Sequence, residues 1–257
     1  MLLLAAVVPA AAQTTTPTTA SPQASRSAVR LLSDAAFWMG VEHLASDSED
    51  FVWEGNYGGW IDFLDWGLGR ATFVANYQVV MGEEFKVFDP NQSNYILGFS
   101  GGHRFGVNEV SGVFHHESRH LSDRFKVQPV DWNMVGARLT RPVTVGTLFF
   151  DAEGQFLAVI QKSFVDYSWE LDGHVRSDVV LRPGIGVLVK ADLRLLGVDG
   201  SRDRGTQTGA RVEGGIRIEG ARAAVELFAA VERRVDPVVL EVGTMNFAMA
   251  GFRLLSR

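Results

Sequence analysis

The chain of 257 residues has no cysteine, which excludes a disulfide-stapled scaffold and any thiolate metal site. It also has no basic excess. Its 24 Lys and Arg stand against 30 Asp and Glu, a formal charge of -6, so nucleic acid is not an expected partner. No segment reaches the roughly 18 uninterrupted apolar residues that a membrane-spanning helix requires. No glycine-rich loop leads into a helical pattern. Gly101-Gly102 and Gly214-Gly215 therefore read as strand bends and not as phosphate cradles.

At the N-terminus, Leu2–Ala12 is a short apolar run in which Ala10 and Ala12 occupy the small positions of an A-x-A cleavage site. Residues 1–12 read as a signal peptide, without the usual basic start. Residues 13–35 read as a disordered leader rich in Thr, Ser and Pro, and residues 36–257 as the folded domain.

From residue 36 onward the dominant period is two. Ala210, Val212, Gly214, Ile216 and Ile218 alternate with Arg211, Glu213, Gly215, Arg217 and Glu219. The same pattern runs through Val187–Leu195 and Ala223–Val231. These runs are roughly twice the five or six residues of an ordinary strand. One apolar and one charged face over that length suits an all-β, antiparallel transmembrane β-barrel, greasy toward lipid and polar within.

Threading the chain through its turns gives about twelve strands, roughly ten to fourteen being compatible. Their expected bounds are 36–44, 52–66, 69–81, 94–106, 109–121, 131–141, 144–152, 174–182, 185–198, 206–219, 221–233 and 243–255. Short turns such as 106–108, 141–143 and 182–184 alternate with longer polar loops such as 82–93 and 199–207. That asymmetry puts both termini at the periplasmic end. Residues 153–173 fit poorly and read as an insertion or a further strand pair. The six tryptophans, Trp38, Trp53, Trp60, Trp66, Trp132 and Trp169, are candidates for aromatic girdles. A secreted β-sandwich would alternate too, but strand length and loop asymmetry count against it.

One stretch, Phe114-His115-His116-Glu117-Ser118-Arg119-His120, carries the candidate chemistry. It contains H-E-x-x-H, which holds zinc only on a helix, where positions i and i+4 converge. Its flank, Val110-Ser111-Gly112-Val113, is a poor helix start, and on a strand His116 and His120 stand about 13 Å apart. The strand reading splits the stretch in two. Phe114, His116, Ser118 and His120 take one face, and His115, Glu117, Arg119 and Leu121 the other. Charges cost several kcal/mol toward lipid, so Glu117 and Arg119 belong inside, which turns His116, Ser118 and His120 outward.

The stretch resembles a block of the form Y-H-x-S-S-H-L-G-D-E in an uncharacterised bacterial outer-membrane barrel family. His116, Ser118, His120, Leu121 and Asp123 match, while Arg119, Ser122 and Arg124 depart from it. That resemblance implies a barrel and no particular activity. The stretch is also similar to the H-x-S pair of lipid A 3-O-deacylases. This second resemblance implies a serine esterase with Ser118 as nucleophile, His116 as base and an acidic partner, for which Asp123 or Asp131 is nearest. The asparagine that follows the serine in those enzymes is Arg119 here.

The candidate catalytic set is thus His116, Ser118 and Asp123, and the candidate binding set is His120, His115, Glu117 and Arg119. Rim polarity without chemistry, or a metal or ligand site formed with His115, His103 or Asp123 across adjacent strands, remain open alternatives. No metal or cofactor is expected. Lumen candidates include Arg104, Arg138, Lys190, Asp192, Arg194, Arg222, Glu226 and Glu232, whose mixed signs favour ion pairs and disfavour a wide pore. The leading expectation is a monomeric protein of the cell outer membrane in a Gram-negative cell. Its partners would be outer-membrane lipids, lipopolysaccharide and, during insertion, the barrel-assembly machinery. A narrow channel, a structural barrel and an outer-leaflet binder are all compatible. The lipid A esterase is the alternative.

Overall fold

The computed structural model describes residues 29–122, 125 and 128–256. Among these there are twelve strands and no helix. They are β1 (Arg30–Ala45), β2 (Trp53–Asp65), β3 (Gly69–Gly82), β4 (Asp89–Phe105), β5 (Asn108–Leu121) and β6 (Val130–Val145), followed by β7 (Leu148–Ser163), β8 (Tyr167–Arg182), β9 (Ile185–Val198), β10 (Gln207–Glu219), β11 (Ala223–Val235) and β12 (Thr244–Ser256). Each pairs antiparallel with its neighbours in sequence, and β12 returns to β1, closing the barrel. Closure is what a strand-built span needs, because an open edge would leave N–H and C=O groups unbonded in hydrocarbon.

The all-β barrel and its strand count match the reading of the period. The signal-peptide and leader expectations over residues 1–28 lie outside the described residues, while β1 already begins at Arg30. Residues 153–173 are neither an insertion nor an extra pair. They are the end of β7 and the start of β8, joined at Phe164–Asp166. Two things hid them: a bulge at Ile160 breaks the alternation in β7, and Gly154 and Gly173 leave no side chain to read. The turn expected at 141–143 falls instead at Gly146-Thr147. β6 continues through Pro142, and Gly146 supplies the positive φ of 60° that the turn demands.

The outer face is apolar. One row across the register, Phe73, Phe99, Phe114, Val135 and Ala158, points outward from β3 to β7. Nearer the long loops, Tyr57, Tyr77 and Tyr95 line up across β2, β3 and β4, with Tyr77 and Tyr95 packed at 5.0 Å between centroids. This tyrosine row supplies the amphipathic ring of a membrane interface. Three of the tryptophans expected there, Trp38, Trp60 and Trp132, are instead buried and face the lumen.

The lumen is filled by ion pairs. Toward the short-turn end, Glu226 is wholly buried among Arg176 (2.7 Å), Arg217 (2.8 Å), Arg253 (2.7 Å) and Lys190 (3.4 Å). Glu213 joins it through Lys190 and Arg253. Arg222, expected inside, sits exposed in the β10–β11 turn. Toward the long loops, Glu42–Arg211, Glu54–Arg234 and Glu170–Arg194 pair at 2.6 to 2.7 Å around a cavity of about 420 Å³ lined by both charged and apolar side chains.

A latch covers this end. Arg204 donates to Asp166 and to both carboxylate oxygens of Asp236, which also accepts from the Tyr167 hydroxyl (2.6 Å) and the Gly243 N–H (2.8 Å). Burial alone would raise the Asp236 carboxyl. The bonds from Arg204, Tyr167 and Gly243 outweigh it and hold the group below its ordinary range.

Candidate functional site

Strand β5 positions the candidate residues by parity. Glu117 and Arg119 are buried, His116 and Ser118 are half-buried on the outer face, and His120 is exposed. His116 and His120 therefore lie four residues apart on a strand, about 13 Å, and cannot share a zinc ion. Among the described residues, no cluster of three or more His, Asp or Glu is arranged to hold a metal.

The outward set is completed from the next strands. In the register, His116 lies opposite Asn133 of β6, and Ser118 opposite Asp131. The His116 Nδ1 is 2.8 Å from Asn133 Oδ1. An amide oxygen can only accept, so Nδ1 carries the proton and donates it. The Asn133 orientation is itself fixed, because its Nδ2 donates to Gln161 Oε1 of β7. In the neutral ring this tautomer leaves Nε2 as the acceptor on its far side. Ser118 lies two residues on along the same face, about 7 Å away at Cα, and makes no hydrogen bond to His116 among the described contacts.

This polar island interrupts a hydrophobic surface. Directly below it the register row is Phe99, Phe114 and Val135, and beside Ser118 stands Tyr95, whose ring meets His120 edge-on at 5.3 Å. Ser118 is therefore level with the tyrosine row.

The candidate binding residues do not converge. His120 lies outside with Ser118, whereas His115, Glu117 and Arg119 face the lumen. Arg119 donates to Glu117 (3.1 Å) and to the Asp236 carbonyl (2.5 Å), and its guanidinium lies over Trp132. It cannot reach a reacting group at Ser118. The His115 Nε2 is buried with no hydrogen-bond partner among the described residues, and the residue lines the cavity. His103 is outward too, but far along β4, opposite Val110. Asp123 lies outside the described residues. Asn133 and Gln161 escaped the sequence reading because only the cross-strand register brings them to His116. The available signal was two polar residues, Asp131 and Asn133, on the outward parity of β6.

No family model matches the chain, and no curated protein matches it by sequence. Among solved structures it is similar to outer membrane phospholipase A from Escherichia coli, with a TM-score of 0.53 and 12% identity, covering 87% of this chain and 92% of that one. It is likewise similar to an asparagine-to-alanine active-site mutant of that enzyme at pH 6.1, with a TM-score of 0.54 and 12% identity over 88% and 91% of the two chains. A third likeness is to the Salmonella typhi outer membrane phospholipase dimer with bound calcium, with a TM-score of 0.52 and 12% identity over 87% and 90%. At such identities the likeness is one of fold: a closed barrel of the outer-membrane kind.

Proposed function

We propose that this outer-membrane barrel is a serine hydrolase that cleaves carboxylic acyl esters of membrane lipids, with Ser118 as nucleophile, His116 as general base and Asn133 orienting the imidazole. The observation that carries the reading is the His116–Asn133 hydrogen bond on the lipid-facing surface, in line with Ser118. At interface depth polar groups cost little, so the support comes from their arrangement: an imidazole oriented by an amide beside a serine on one outward face. Three of the structural neighbours support the reading: they are outer membrane phospholipases, and the mutated active-site residue of one is an asparagine.

In the proposed reaction, Ser118 Oγ attacks the ester carbonyl while its proton passes to His116 Nε2. The tetrahedral intermediate then expels the alcohol, which takes that proton, and leaves an acyl-serine. Water attacks the acyl-serine, His116 again accepts the proton, and returning it to Ser118 Oγ releases the fatty acid. Asn133 stays hydrogen-bonded to Nδ1 throughout, so the ring keeps Nε2, and never Nδ1, toward the serine.

The test is fatty-acid release by the full chain in mixed micelles, in one arm from a diacyl glycerophospholipid and in the other from lipid A. Release in the first arm that Ser118→Ala abolishes supports a phospholipase, and release in the second arm a lipid A esterase. Equal rates for wild type and Ser118→Ala in both arms would sink the proposal. The lumen cavity favours one further reading, a narrow channel, which single-barrel conductance in planar bilayers checks.

A further inference from the structure

Behind Asn133 the outward polar groups continue where the proposed reaction has no direct use for them. Gln161 receives the Asn133 Nδ2 proton on its Oε1, and its own Nε2 donates to Asp131 Oδ1 at 3.1 Å, with a longer approach to Ser163 Oγ. Gln161 is exposed on the outer face, beside the rows of Phe and Val that make up much of that surface. It faces outward only because of an irregularity. β7 places Val159 opposite Met134 and Gln161 opposite Asn133, so that Ile160 is an extra residue. By plain alternation from the inward Val159, Gln161 would fall in the lumen. The bulge turns it to the lipid side, a use to which bulges beside functional sites are put.

We infer that Gln161 and Asp131 are positioning residues for the hydrolase, a chain Asp131–Gln161–Asn133–His116 that ends in a carboxylate and locks the amide flip of Asn133. The inference rests on the proposed ester hydrolysis at Ser118. Its logic is directional. Asp131 is acceptor-only when ionised, so Gln161 must turn its amino group to it and its carbonyl to Asn133. Asn133 must then turn its own carbonyl to His116, and the imidazole is left in the single tautomer that can deprotonate a serine. Without the carboxylate, each amide could flip and offer His116 a donor, which would leave Nε2 protonated.

The test uses the full chain in mixed micelles with a short-chain diacyl thioester phospholipid, reading kcat and KM separately, together with labelling of Ser118 by a fluorophosphonate. Gln161→Leu makes the lipid face more apolar, so it should fold at least as firmly by heat-modifiable gel mobility. Its kcat should nevertheless fall about tenfold at unchanged KM, with slower labelling. Asp131→Asn, which keeps shape but removes the acceptor-only end, should lower kcat about threefold. Both effects should vanish in an Asn133→Ala background, because the chain acts only through Asn133. Losses that multiply with that of Asn133→Ala, or a kcat for Gln161→Leu within twofold of wild type, would overturn the inference while leaving the hydrolase intact. Undiminished turnover by Ser118→Ala would instead overturn the hydrolase and the positioning chain together.

Discussion

Replacing Asn133 by Ala removes the one group bonded to His116 Nδ1 among the described contacts, at 2.8 Å. In the ground state this is a bond between neutral partners, worth about 0.5–1.5 kcal/mol. In the proposed reaction the imidazole gains a proton as Ser118 attacks, and the same bond acquires a charged donor, worth about 1.5–3 kcal/mol. Only the part realised in the transition state slows the reaction. The gain between the two states is about 1–1.5 kcal/mol, so at about 1.4 kcal/mol per factor of ten the expected fall in kcat is between roughly fivefold and twelvefold. Because Asn133 faces the imidazole and not the lipid, KM should stay within about twofold. Initial rates on the thioester phospholipid in mixed micelles, with Ser118→Ala as the zero, provide the measurement. A fall of less than threefold would mean that the bond does not orient the base. A loss as complete as that of Ser118→Ala would mean that Asn133 does more than orient it. Either result refutes the reasoning.

Two further outcomes concern the barrel itself. Glu226→Gln leaves Arg176, Arg217, Arg253 and Lys190 around a neutral group, and breaking such a buried pairing should cost about 3–5 kcal/mol in reversible urea unfolding in detergent. Adding Lys190→Met should restore part of the loss, whereas an unchanged unfolding midpoint for Glu226→Gln would show the cluster to be energetically idle. The latch has a pH dependence of defined sign. The Asp236 carboxyl is held below its unfolded value, so its contribution is complete above about pH 4 and is lost as pH falls through the lower folded value. Amide exchange in residues 199–206 and 236–243 should be slow at pH 5 and accelerate only below the ordinary aspartate range, and Asp236→Asn should exchange fast at every pH. Equal exchange in the two proteins at neutral pH would remove Asp236 from the latch.

The barrel was legible because its physics is one-dimensional. A strand that separates lipid from lumen must alternate, and Val187–Leu195 or Ala210–Ile218 declare which face is which without reference to any other strand. The same parity rule placed His116, Ser118 and His120 outside and Glu117 and Arg119 inside. It failed where the chain departs from simple alternation, at the Ile160 bulge and around Gly154 and Gly173. The site was half legible for a related reason. His116 and Ser118 are local to one strand, but the identity of the orienting residue is a register question, and register comes from the neighbouring strand. Asp123 and Asp131 are near in sequence and acidic, yet it is Asn133, seventeen positions from His116, whose side chain meets the imidazole. The tryptophan expectation failed because composition cannot tell an indole that fills the lumen, as Trp132 does beneath Arg119, from one that rides at an interface.

The seam where the two chain ends meet has its own consequence. β1 pairs with β12 from Trp38–Leu255 to Ala45–Ala248, while residues Arg30–Phe37 run on past the point where β12 stops and are laddered to β2 alone, apart from one bond from the Phe37 N–H to Ser256 Oγ. The cylinder is therefore fastened least where its first and last segments join, at the end carrying both termini. This is the place where the wall would part first under strain. Since the proposed catalytic face lies on β5 to β7, across the circumference from that join, the hydrolytic machinery rides on the stretch of wall furthest from the weakest fastening.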